Sequence, residues 1–153
     1  MDALQLVLRI AHIAAAVTLG GAVVFQLLAV QPVLRGLDDA QRTALAAGLA
    51  RRWRGVLWTG MALLLVSGLL NFLLFKVPEY KTVPYKAVYH GLFGVKFLAA
   101  LALFHAATML SMPGPAFDRY RRRARGWLSY ATVLLALIVV LAAVMRYLPT
   151  FYD

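Results

Sequence analysis

The chain contains no cysteine, so disulfides, thiolate zinc sites, iron–sulfur clusters and thioether-attached c-type haem are excluded. Acid is nearly as scarce, with six Asp or Glu against 16 Lys or Arg in 153 residues. Asp2, Asp38, Asp39, Glu79, Asp118 and Asp153 all fall outside the apolar runs. A proton pump built on paired buried carboxylates has no residues to run on, and a serine triad lacks its acid. Charge of either sign makes up only 14% of the chain while 63% is hydrophobic, with a mean hydropathy of +0.76. Soluble domains run at about 45–50% apolar and about 25% charged, so this composition belongs to the membrane class. The net charge of +10 does not point to nucleic acid, because the arginines cluster beside apolar runs, where membrane topology accounts for them.

Four runs approach or exceed the ~20 apolar residues that a spanning helix needs: about 4–30, 56–75, 87–112 and 127–148. With backbone hydrogen bonds forced to close internally in lipid, they predict an all-α integral membrane four-helix bundle, one domain over 1–153. The first run opens at Leu4 with no basic residue before Arg9 and continues to Val30, too long and wrongly flanked for a cleaved signal peptide. Trp53, Trp58, Tyr85, Tyr89, Trp127, Tyr130, Tyr147 and Tyr152 mark the run ends, where amphipathic rings favour the headgroup level.

The first connection carries Arg35, Arg42, Arg51, Arg52 and Arg54, and the third Arg119, Arg121, Arg122, Arg123 and Arg125. The second has only Lys76, Lys81 and Lys86. This asymmetry predicts a multi-pass protein of a bacterial inner membrane, its first and third connections cytoplasmic and both termini on the outer, periplasmic side. Asp38-Asp39, ahead of an Ala- and Leu-rich stretch, predicts a second helix that starts well before the bilayer.

A lysine or histidine in hydrocarbon costs roughly 2.5 kcal/mol or more unless it finds a partner, so His12, His90, Lys96 and His105 need explaining. At ~1.5 Å per residue, His12 sits roughly 10 Å below the outer surface, His90 about 5 Å and Lys96 about 14 Å. Asn71 falls in the same layer, with Arg9 one turn above His12 and Arg146 closing the last run on that side. His105 lies roughly 22 Å beyond His90 along the same helix, near Met109 and at the depth of Met61. Ala16 and Gly20 share a stripe with His12, and Gly91 and Gly94 accompany His90; such small residues suit close helix packing or leave room for a flat macrocycle.

Neutral imidazole ligates haem iron, copper and zinc alike. His12 paired with His90 or His105 suits haem b, and His105 with Met109 and Met61 suits soft Cu(I). Lys96 is the candidate catalytic group, moving protons or meeting a substrate carboxylate. Arg9 and Arg146 read as snorkelling anchors or as partners for haem propionates, and Asn71 as a further contact to a cofactor. His90 reads equally well as an interfacial residue.

At these residues the sequence resembles the membrane domain of copper-resistance protein D (CopD) and, more distantly, HemJ-type protoporphyrinogen oxidases. His12 followed by small residues to Gly20-Gly21 resembles the first helix of both. Ser67-Gly68-Leu69-Leu70-Asn71 resembles the second CopD helix, and Gly91-Leu92-Phe93-Gly94-Val95-Lys96 the third helix with its embedded lysine. The likeness covers all four runs through short motifs. The chain departs from it at Thr18-Leu19, where a tryptophan is frequent, and at Gly94, where HemJ-like proteins carry a histidine. Resemblance to CopD implies copper handling across the membrane; resemblance to HemJ implies a haem b oxidase using His12 and Lys96. The leading expectation is therefore a bilayer protein holding a redox-active haem b or metal for electron transfer or oxidase chemistry. A copper-transport protein and a scaffold subunit of a membrane complex are the alternatives. A tetrapyrrole, a quinone, copper or a second copy of the chain are the expected partners.

Overall fold

The computed structural model describes residues 3–152, and among these every regular element is helical. Four helices are long and apolar enough to cross a bilayer: α1 (Ala3–Arg35), α2 (Asp39–Glu79), α3 (Lys86–Ser111) and, after a short α4 (Asp118–Arg122), α5 (Ala124–Phe151). The 41 residues of α2 rise about 60 Å, twice a hydrocarbon core of ~30 Å. Its polar first third therefore projects beyond an apolar slab, as the acidic start predicts. Asp38 caps it by accepting the Gln41 N–H at 2.8 Å, satisfying one of the orphan donors of the first turn.

α1 and α2 both continue through a proline, Pro32 and Pro78. Each proline follows a widened π turn, Gln26–Val30 and Phe72–Lys76, that ends two residues before it. Proline offers no N–H and its ring crowds the carbonyl four residues back, so the wider turn accommodates the defect and the helix continues rather than breaks. The sequence runs at 4–30 and 56–75 therefore understate both helices.

Side-chain contacts fix the arrangement. His12 meets Ser67, Arg54 meets Ser111, and Tyr85 meets Tyr152. Successive long helices are thus antiparallel, and the two ends of the described chain share one end of the bundle, termed here the terminal end. The opposite, arginine end carries the connections rich in Arg. α1 packs along α2 and α3 along α5; the α1–α5 and α2–α3 seams are slighter, and the diagonal pairs barely meet.

Glycine sets the tight seam. A methyl group on Gly60 would lie 2.9 Å from the Leu19 side chain, and one on Gly68 2.9 Å from the His12 ring. Leu19 and His12, seven residues apart on α1, are knobs seated on two glycines eight apart on antiparallel α2, the close approach that small residues permit between apolar helices. Gly20 similarly receives Leu135 of α5. Gly91 and Gly94, expected to mark close packing at His90, have open space where a Cβ would stand. Val17 and Leu98, 69% and 66% exposed, face outward, as lipid-facing positions must. At the terminal end Tyr80, Tyr85, Tyr89, Met145 and Leu148 form a buried cluster.

Gly60→Ala is expected to cost about 1–3 kcal/mol through overpacking against Leu19, read as a lower thermal midpoint in detergent. Leu19→Ala should cost less in the Gly60→Ala background than alone. Additive effects would refute this seam.

Candidate functional site

His12 is the polar knob of the α1–α2 seam. Its Nδ1 lies 3.0 Å from the Ser67 Oγ, and Ser67 is 3% exposed. The Ser67 hydroxyl in turn donates to the Leu63 carbonyl one turn back. A hydroxyl has one proton to give, and here it goes to the carbonyl. The Ser67 oxygen therefore accepts from His12, whose neutral ring must carry its proton on Nδ1. Nε2 is then the unprotonated nitrogen of a ring that also meets the Leu64 backbone. A second-shell acceptor that fixes the tautomer is the arrangement that turns a histidine into a base or a metal ligand. Gly68 completes the cradle, since any side chain there would displace the ring.

His12 faces a cavity of about 2100 Å³ that runs between the two helix pairs from one end of the bundle to the other. It exists because α1–α2 and α3–α5 pack well within each pair and less between them. Near the terminal end it is walled by Phe72, Phe93 and Phe97; Phe72 stacks on Phe93 with ring centroids 3.6 Å apart and 6° between planes. Arg9, Lys96 and Arg146 also line it, and none of them forms an ion pair among the described residues. Lys76, on the same wall, is paired with Glu79 at 2.6 Å. The acidic side chains that line the cavity, Asp39 and Asp118, lie at the arginine end and are paired with Arg42 and Arg121. The terminal half is therefore apolar, aromatic and cationic, with an oriented imidazole and, among the described residues, no carboxylate on its wall. At the mouth, Tyr80 packs on Tyr89 with centroids 4.1 Å apart. Burial, then Glu79 and Tyr85, raise the Tyr80 phenol above its ordinary pKa, so it stays neutral.

Of the residues singled out by sequence, Arg9, His12, Asn71, Lys96 and Arg146 share this cavity. The buried Asn71 Oδ1 has no hydrogen-bond partner, an acceptor left open on the cavity wall. His90 does not line the cavity: its ring stands edge-on to Phe72 at 5.6 Å, and its buried Nε2 is also unpartnered. His105 is exposed, whereas Met61 is enclosed with Leu19 and Leu57 against Trp53, Leu64, Phe104 and Ala107. Neither Met61 nor Met109 lines the cavity. Among the described residues no three His, Cys, Asp or Glu side chains gather as a metal site. Depth along a helix does not say which face of it a side chain occupies. Ser67, the α2 hydroxyl that meets His12, is a functional residue that the sequence reading did not single out.

Compared with known proteins, the chain matches no family model, no curated protein and no solved structure.

Ser67→Ala should cost about 1–3 kcal/mol, since it strands a buried imidazole N–H. Ser67→Thr, which keeps the acceptor oxygen, should recover part of it. Thermal unfolding of the two variants side by side checks this; equal loss in both would contradict an oriented His12.

Proposed function

We propose that this is a multi-pass protein of a bacterial inner membrane that holds a haem b, or a closely related tetrapyrrole, in the terminal half of its cavity for redox chemistry. The observation that carries the reading is His12, which lines the large cavity and whose ring is held through Nδ1 by Ser67, so that Nε2 keeps the lone pair. Aromatic side chains suit the faces of a flat macrocycle. Arg9, Lys96 and Arg146 suit its propionates through charge-assisted hydrogen bonds. Lys96 sits among apolar residues and can pass a proton or orient a substrate carboxylate. The resemblance of the first and third helices to HemJ-type and CopD proteins points to the same two residues.

His90 lies off the cavity and His105 is exposed, so His12 is the histidine that would hold the haem. A haem held there would supply one-electron chemistry, for electron transfer or oxidase-type reactions. The soft Cu(I) set of His105, Met109 and Met61 is dispersed over outward and buried positions, and no observation favours it. The arginine end faces the cytoplasm by the positive-inside rule, which sets the His12 half toward the outer surface.

Protein produced with added haem should show Soret and α bands in a reduced-minus-oxidised spectrum. His12→Ala should abolish them, and Ser67→Ala should weaken haem retention about 10–100-fold, the usual effect of losing a second-shell partner. A haem-supplied preparation without a Soret band, or one that carries copper instead, would defeat the proposal.

A further inference from the structure

The arginine end of the cavity has a chemistry that the haem reading does not use. Arg35, Arg52, Arg122, Arg123 and Arg125 line it. None of the five guanidinium groups makes a hydrogen bond or ion pair among the described residues. The neighbouring Arg42 and Arg121 are committed to the carboxylates of Asp39 and Asp118 and to backbone carbonyls at the helix ends. Arg54 is directed at the Ser111 carbonyl, 3.3 Å away. The two acids that line this mouth are thus already matched, and five guanidinium groups remain uncompensated around one opening. Guanidinium binds phosphate oxygens in a bidentate fork.

Topology alone would account for arginines anywhere on the connecting segments. It does not account for their position around the rim of an apolar channel. Arg119, by contrast, lies off the cavity and packs over Tyr120, its guanidinium carbon 4.8 Å from the ring centroid. Behind the rim the channel wall is Leu57, Phe104, Leu128, Ala131 and Leu135, hydrocarbon on every side. The total volume of about 2100 Å³ is roughly twice the ~1,000 Å³ upper range of a small-molecule site. A tetrapyrrole at the terminal end therefore leaves room for a second occupant. The slighter α2–α3 and α1–α5 seams offer an elongated hydrocarbon chain a lateral way in.

We propose that the arginine end of the cavity is a binding site for an anionic phospholipid, with its phosphate headgroup on Arg52, Arg122 and Arg123 and an acyl chain lying in the channel between the helix pairs. The ligand chemistry is a phosphate monoanion joined to a long apolar tail, and the source is the membrane. Nothing in it depends on haem at His12.

The test uses full-length protein purified in detergent, incubated separately with phosphatidylglycerol, phosphatidylcholine and inorganic phosphate, and examined by native mass spectrometry. Phosphatidylglycerol should be retained at one molecule per protein, at least tenfold more tightly than phosphatidylcholine. The combined variant Arg52→Gln, Arg122→Gln and Arg123→Gln should lose that preference, and Arg119→Gln should keep it. Equal retention of both lipids by the native protein, or displacement of phosphatidylglycerol by equimolar inorganic phosphate, would overturn the proposal. Should the combined variant fail to fold, native protein incubated with a diazirine-acyl phosphatidylglycerol decides the matter. Photolabelling at Phe104 and Leu135 supports the channel, and labelling confined to the outward residues Val133 and Val139 contradicts it.

Discussion

The interaction on which the terminal half of this bundle depends is the relay from His12 Nδ1 through the Ser67 hydroxyl to the Leu63 carbonyl. In hydrocarbon an unsatisfied polar group costs several kcal/mol, so a histidine on α1 constrains what α2 presents opposite it. The relay meets that demand with one hydroxyl, and its directionality follows from proton counting. The ring donates, the serine accepts, and the serine donates onward. The same geometry that satisfies Nδ1 leaves Nε2 as the nitrogen with the lone pair. Structural need and chemical capacity are thus two faces of one side chain.

The second constraint is steric. Without a hydrophobic driving force between helices in lipid, close packing holds the seams, and close packing needs small residues. Gly60 and Gly68 let α1 and α2 approach with Leu19 and His12 as knobs. The helix pairs themselves meet less closely, and the cavity is the consequence. Its lining then sorts the sparse charge of the chain. Lys96, Arg9 and Arg146 surround the imidazole half, and paired and unpaired arginines ring the other mouth. Proline adds a third element, because the π turns before Pro32 and Pro78 let both helices continue without ending.

Much of this was legible in the sequence. Four apolar runs, aromatic ends and an acidic cap at Asp38 predict the helices and the early start of α2, because each signal is local. Depth along a helix is also local arithmetic, and it placed His12, Asn71, Lys96, Arg9 and Arg146 in one layer; all five line the cavity. Rotation about the helix axis was not legible, because nearly every face of these helices is apolar and no polar stripe marks the interior. For that reason His105, grouped with Met61 by depth, turns outward while Met61 is buried, and His90 packs on Phe72 beside the cavity rather than in it. Of the glycines that the sequence sets beside the histidines, Gly20 makes a tight contact, to Leu135, and Gly91 and Gly94 make none, while Gly60 and Gly68 form the α1–α2 seam. Ser67 appeared in the sequence only as part of a motif, since its role becomes visible once the antiparallel register of α1 and α2 is known.

The central claim is that His12 is held as the Nδ1–H tautomer with Nε2 unprotonated, and nitrogen NMR of the imidazole tests it most directly. The protein has three histidines, so ¹⁵N-histidine labelling with His12→Gln as the assignment control isolates the signal. In haem-free protein at neutral pH, His12 should show a protonated Nδ1 and an unprotonated Nε2, with Ser67→Ala moving it toward a mixture. A ring protonated at Nε2 in the native protein would mean that Ser67 donates to His12, and the account of the site would fail.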